Sequence, residues 1–289
     1  MKHRNWAPWL FLAPFLLLFT LFTVWPLIKA VTLALQQTYG PDYTLWIGLE
    51  NFAYLFTDPL FWKALTNTVI FAAGSILIQL PISLGLALLL NRPDIRGRSI
   101  FRLIFFSPAL FGTVFVAILF SLIFEKHTGL LNIALNQFFG WPLDFPWLQE
   151  FVMPALILSA LWMYAGFNMI YFLAALQSVD HSLLEAAKID GANAWQRFLN
   201  VTLPQIAPVA GFVVLLSLLG SFQLFELPYL LLNQGAGPDN QGLTIVMYLF
   251  QTGFETGDLG YASAIGWVLA IVLVALAILQ RRLARRWEM

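Results

Sequence analysis

Residues 262–286 read ASAIGWVLAIVLVALAILQRRLARR. No charge interrupts the run up to Gln280, and Arg281, Arg282, Arg285 and Arg286 close it. A bilayer core about 30 Å thick is crossed by roughly 20 apolar residues of helix. The stretch therefore predicts a membrane span, 262–280, with a basic end. Residues 9–28, 68–90, 103–124, 154–177 and 209–232 pass the same test. Pro14, Pro26, Pro81, Pro108 and Pro228 fall inside these runs, where a membrane bundle tolerates them as kinks. The expected fold class is an all-α membrane protein of six transmembrane helices.

Composition agrees. Hydrophobic residues make up 60% of the 289, charged residues 10%, and the net charge is zero. Mean hydropathy is +0.78. A soluble globule of this length could not hide so much apolar surface, which excludes a soluble enzyme, a disordered chain and a nucleic-acid binder. With no cysteine there is no disulfide framework and no thiolate chemistry.

Basic residues set the orientation. Lys2, Arg4, Arg92, Arg96, Arg98, Arg102, Lys188, Arg197 and the four arginines after Gln280 share one side of a six-span chain. Of the 15 Lys and Arg, only Lys29, Lys63 and Lys126 fall on the other. By the positive-inside rule the first side is the cytoplasm, with both termini on it. The chain is expected in the inner (cytoplasmic) membrane as a multi-pass protein. The basic N-terminus followed by an apolar run imitates a secretory signal. The run is too long, however, and Trp25, Pro26 and Lys29 stand where a cleavage site would be, so it is read as a retained helix. Between spans three and four, Leu130, Leu131, Ala134, Leu135 and Phe138 keep helical spacing and Trp141 and Trp147 follow. They predict a short helix in the membrane interface.

The connection 178–208 has structure of its own. Asp180 or Ser182 can cap a short helix, and Gly191 is placed to end it in a left-handed conformation. A second short helix would carry Trp195, Phe198, Leu199 and Thr202 on one side, with Pro204 and Pro208 stopping it before span five. Small Ala186 and Ala187, flanked by Glu185 and Asp190, would let the first helix lie close to a partner's backbone. A loop packed under its own bundle explains the periodicity equally well.

Glu185-Ala186-Ala187, Asp190-Gly191-Ala192, Phe198, Leu203-Pro204 and Pro208 resemble, in kind and spacing, the cytoplasmic signature of ABC importer permeases. Phe167-Asn168-Met169, Leu173-Ala174-Ala175-Leu176-Gln177, Gly48-Leu49-Glu50-Asn51-Phe52 and Gly129-Leu130-Leu131-Asn132 are similar to the carbohydrate-uptake branch, of maltose and glycerol-phosphate type. So are Asn67-Thr68, Arg96-Gly97-Arg98 with Phe101-Arg102, Gly237-Pro238 and Gly260-Tyr261-Ala262-Ser263-Ala264. Gly235-Ala236-Gly237 departs from the glycine run usual there. The resemblance implies a type I importer-like permease bundle that translocates a sugar or oligosaccharide. It also implies a second, non-identical permease, two ATP-binding-cassette ATPase subunits, and an extracytoplasmic solute-binding protein. Glu185, Ala186, Ala187, Asp190, Gly191, Ala192, Leu203 and Pro204 would then couple the bundle to the ATPases.

The chain has no Gly-x-x-x-x-Gly-Lys-Ser/Thr cradle, so ATP would be hydrolysed by other subunits. His3, His127 and His181 are too scattered to suggest a metal, and no catalytic constellation or cofactor is implied. Sugars are held by aromatic faces under their C–H groups, together with amide, carboxylate and hydroxyl partners. Trp162, Tyr164 and Asn168 in span four, Ser217, Gln223 and Glu226 in span five, and Trp267 in span six offer that combination. Lipid-facing or packing roles account for most of the aromatics. Glu226 is the one acid within a span, near its outer end, where outer-face water can also reach it. An ATP-independent channel or secondary carrier is the other class the residues allow. Within the family, glycerol phosphate or another polyol-type solute is the alternative cargo.

Overall fold

A computed structural model describes residues 7–39 and 43–284. It is helical throughout apart from one hairpin. Helices long and apolar enough to span a membrane are α1 (Pro8–Ala34), α3 (Pro59–Asn91), α7 (Val152–Gln177), α9 (Ala194–Phe222) and α12 (Leu259–Ala284). A bent pair, Arg98–Leu110 and Thr113–Ile123, supplies a sixth crossing if counted as one span.

Wide π turns interrupt three of these helices at Thr20–Val24, Ser75–Gln79 and Phe198–Thr202. Each turn ends two residues before a proline: Pro26, Pro81 or Pro204. A proline inside an α-helix clashes with the carbonyl four residues back. In each case that carbonyl (Phe22, Leu77 or Asn200) belongs to the wide turn, and the amide just before the proline bonds five residues back instead of four. Trp25 donates to Thr20, Leu80 to Ser75 and Leu203 to Phe198. The helix widens by one residue and continues. Pro204 and Pro208 therefore do not stop a short helix before span five, as the sequence suggested. The chain is helical from Ala194 to Phe222 without a gap.

Two other expected spans change. The run 103–124 is split. Helix α4 (Arg98–Phe106) passes into a tight turn containing Pro108, breaks at Phe111–Gly112 and resumes as α5 (Thr113–Ile123) at an angle of 100°. The fifth span ends at Phe222 rather than 232, because Gln223–Phe225 leave helical geometry and a separate short helix, α10 (Glu226–Leu231), begins. The freed carbonyl of Leu224 is taken at 2.6 Å by the hydroxyl of buried Thr244, the residue just before helix α11 (Ile245–Phe250).

The chain divides into two compact units. The first joins the residues up to Phe61 with Tyr248–Ile271. After α1 it carries an antiparallel hairpin, β1 (Gln36–Tyr39) and β2 (Tyr43–Trp46), with Thr38 opposite Thr44. Helix α2 (Glu50–Thr57) follows. Buried Asn51 donates to the carbonyls of Ala34 and Gln36 at 3.0 and 2.9 Å, which fixes the exit from α1. Thr38 bonds Asp258 and accepts from the amide of Gly260, so the hairpin sits on the start of α12.

The second unit comprises Trp62–Met247 and the residues from Val272 onward. Its centre is α7, which packs on α3, α4 and α9. Two apolar clusters share α7 end to end. One gathers Phe71, Phe120, Phe124, Leu156 and Leu231, and the other Leu80, Leu90, Met169, Phe172 and Val213. Helix α6 (Leu130–Phe139) lies where the sequence placed a short helix. Asn132 clasps its loop, donating to the carbonyls of Lys126 and Phe145 and accepting from the Trp147 indole.

Candidate functional site

Between the two clusters the packing opens into a cavity of about 610 Å3. On α7, residues up to Met163 belong to one cluster and those from Met169 to the other. Tyr164, Phe167 and Asn168, in the interval, line the cavity. The same interval on α3 is the π turn, whose ends Ser75 and Gln79 face the same space. Ser217 and Ser221 of α9 complete the wall with the break at Gln223–Glu226.

Tyr164, Asn168, Ser217, Gln223 and Glu226, five of the residues the sequence nominated for a solute path, thus share one cavity. Trp162 does not line it. Its ring lies between Phe111 at 6.4 Å and Phe120 at 5.6 Å. Trp267 is half-buried in the first unit.

Sequence reasoning missed Gln79. Its signal was a lone amide inside the apolar run before Pro81. Gln79 is 4% exposed and Asn168 6%, and neither side chain has a hydrogen-bond partner among the described residues. Their amide atoms are nevertheless open to the cavity, since Arg102 Nε alone is buried without a partner among the described residues. They provide donors and acceptors for a polar guest, with the rings of Phe71, Tyr164 and Phe167 beside them.

The loop after α7 forms a second exposed feature. Helix α8 (His181–Ile189) is capped by Asp180, whose carboxylate accepts the Ser182 amide at 2.8 Å. The Ser182 hydroxyl, and after it the Ser182 amide, hold the Asp180 carboxyl below the usual carboxylate range. Gly191 takes φ 83°, and the helix end is closed by Ala192 donating to Ala187 at 3.0 Å and Gly191 to Lys188 at 3.2 Å. These are the bonds of a glycine-terminated helix. Asn193 and Gln196 form a reciprocal capping box for the next turn. Gln205 ties the loop to α9 by accepting the Asp180 amide.

Glu185, Ala186, Asp190 and Gly191 are exposed, Ala187 and Ala192 half-buried. Pro204 is exposed at the foot of α9, and Leu203 packs against the second cluster. Beside them Ile189 is 85% and Trp195 65% exposed, with the Trp195 ring stacked on Phe198. Small, acidic and large apolar residues thus share one uncovered knob.

Residues 79–289 match the family described as binding-protein-dependent transport system inner membrane component. The chain is 38% identical over 279 residues to the arabinooligosaccharides transport system permease protein AraP of Bacillus subtilis (strain 168), covering 96% of this chain and 88% of that one. It is 34% identical to the lactose transport system permease protein LacF of Rhizobium radiobacter, covering 96% and 93%. A bacterial ABC transporter involved in the import of the acidic polysaccharide alginate, known from its crystal structure, has a chain that superposes with a TM-score of 0.84. That match has 28% identity and covers 98% of this chain and 96% of that one. A bacterial alginate ABC transporter in complex with an alginate pentasaccharide-bound periplasmic protein has a chain that superposes with a TM-score of 0.83, at 27% identity, covering 99% of this chain and 96% of that one. The family assignment sets aside a catalytic role and an ATP-independent channel or carrier. The chain belongs to the binding-protein-dependent transport system inner membrane components and is the multi-pass, non-catalytic permease of an ABC importer.

Proposed function

We propose that this permease passes a sugar or oligosaccharide, handed over by a solute-binding protein, through the cavity bounded by α3, α7 and α9. It does so paired with a second, non-identical permease, above two ATPase subunits that seat the knob at residues 178–208. Closure of the ATPases on ATP moves the knob and tips the bundle as a rigid body. The observation that carries the reading is the pair of amides on largely buried residues, Gln79 and Asn168, that open to the cavity with no partner among the described residues, next to aromatic rings. That combination suits hydroxyl groups and C–H faces. The relatives named for arabinooligosaccharides and lactose support a carbohydrate cargo.

The test is uptake by the reconstituted importer carrying Gln79→Leu, Asn168→Leu or Gln223→Leu. A buried site that loses one hydrogen-bond partner forfeits about 1–3 kcal/mol. Uptake should fall by roughly 5- to 150-fold at limiting solute, with the subunits still co-purifying. Normal transport by all three variants would place the solute route elsewhere.

A further inference from the structure

Glu226 is the one charged residue among those lining the cavity, which include no Lys, Arg or His. It starts α10 immediately after the break in the fifth span, and its side chain is exposed. The Arg92–Asp94 pair is the single ion pair among the described residues, so no cation within this chain's described part neutralises Glu226. The remaining polar side chains on the wall, all hydroxyls and carboxamides, are neutral. Gln79 and Asn168 await a partner but prefer neither sign of charge, since each amide both donates and accepts. The electrostatic sign of the cavity is therefore set by one carboxylate.

We propose that Glu226 makes the cavity a charge filter that admits neutral and amine-bearing sugars and turns away uronate- and phosphate-bearing ones. This rests on the reading of the cavity as the solute route. An unpaired carboxylate in a half-enclosed cavity attracts an ammonium group and repels a second carboxylate. The interaction is strengthened because low-dielectric walls focus the field.

The chain has no cysteine, so Ser217→Cys puts its only thiol in the cavity. In the assembled importer, the rate of modification at this position is measured with a cationic and an anionic methanethiosulfonate of equal size. Mass spectrometry follows the label on this chain. The ratio of the two rates reports the local potential without any knowledge of the cargo. Adding Glu226→Gln should lower the cation-to-anion ratio on the order of tenfold, a figure already reduced for solvent screening of an exposed carboxylate. The effect should shrink as salt is raised. Ser178→Cys, outside the cavity, should show no change with Glu226→Gln. An unchanged ratio at position 217 overturns the filter. Failure of the solute route itself reads differently: Gln79→Leu and Asn168→Leu would leave uptake intact while the ratio still responded to Glu226→Gln.

Discussion

Gly166 on α7 lies against the backbone of Phe105 on α4, so closely that a β-carbon on Gly166 would overlap the Phe105 carbonyl. This contact seats the first arm of the broken third span on the central helix. The obstacle is backbone, which cannot rotate aside as a side chain can. Gly166→Ala should force α4 and α7 apart, at a cost of about 1–3 kcal/mol typical of overpacking. Gly85→Ala, on α3 with open space around it, is the control and should be neutral or slightly stabilising. Thermal unfolding of the purified complex measures both. Equal melting of Gly166→Ala and wild type would mean that the approach relaxes without loss.

Asp58, 3% exposed at the junction of α2 and α3, accepts hydrogen bonds from the Leu60 amide at 2.9 Å, the Tyr261 hydroxyl at 2.6 Å and the Tyr248 hydroxyl. Asp58→Leu leaves these donors unpaired inside the first unit, and about 1–3 kcal/mol is lost for each. Asp58→Asn retains an acceptor and should lose less. Burial, followed by the hydrogen bond to Asp58, raises the Tyr248 phenol above the ordinary tyrosine value. A raised phenol contributes stability that is complete below about pH 10 and is lost as pH climbs through the higher folded value. Phenolate absorbance should therefore show Tyr248 titrating after the exposed tyrosines. A Tyr248→Phe variant that removes early-titrating absorbance would contradict this arrangement.

How much of this was legible in the sequence depends on the range of the interaction. The apolar runs announced the spans, because a bilayer imposes one length on every crossing. The glycine-ended helix before Gly191 is local chemistry and was equally visible. The splits at Phe111–Gly112 and Gln223–Phe225 were not, because Thr244 and the backbone at Gly166 stabilise them from distant parts of the chain. Nor was the role of Asp58, whose tyrosine partners lie 190 and 203 residues away in sequence. Tyr164, Asn168, Ser217, Gln223 and Glu226 stand out in the sequence as polar or aromatic residues in apolar spans. Gln79 meets the same criterion, but it reaches the cavity from the end of the widened turn before Pro81, which a proline in an apolar run does not by itself reveal.

Orientation follows from the basic residues and can be checked with single cysteines. Asp144→Cys and Asp239→Cys are both at exposed positions. An impermeant thiol reagent should label them on intact cells. A cysteine at exposed Ser178 should be labelled only after the cells are opened. The reverse pattern would invert the topology and move the knob out of the cytoplasm.

Asp180 supports α8 through the Ser182 amide and is itself held below the usual carboxylate range by the Ser182 hydroxyl and then by that amide. A depressed carboxyl contributes stability above its unfolded value of about 3.9, and the contribution is lost as pH falls through the lower folded value. At neutral pH, Asp180→Ala should therefore speed hydrogen exchange at the first amides of α8. Asp180→Asn or Asp180→Ser, which keep an acceptor, should restore most of the protection. In strong acid the wild-type protection should fall to the level of the neutral acceptor in Asp180→Asn. A wild-type excess over Asp180→Asn that is undiminished there would mean that the charged carboxylate is not the cap.

Gly191 distinguishes an element that couples to a partner from one that only packs under its own bundle. At φ 83° any side chain strains the backbone, by about 1–2 kcal/mol. A β-carbon there meets nothing within 4 Å in this chain. Gly191→Ala and Gly191→Trp therefore carry the same backbone strain, and the first side-chain atom of either finds open space. A further defect in the tryptophan variant, with melting of the purified permease equal to that of Gly191→Ala, comes from a surface outside the chain. If the knob seats in an ATPase cleft, Gly191→Ala should weaken coupling modestly, whereas Gly191→Trp should release or uncouple the ATPases. Glu185→Lys should act in the same direction by reversing an exposed charge on the same knob. Neither change should impair membrane insertion, because the apolar spans are untouched. Solute-stimulated ATP hydrolysis and uptake in reconstituted vesicles, with co-purification of the subunits, measure the outcome. If Gly191→Trp matches Gly191→Ala in both, no partner lies against this face, and Ile189 and Trp195 are exposed for some other reason.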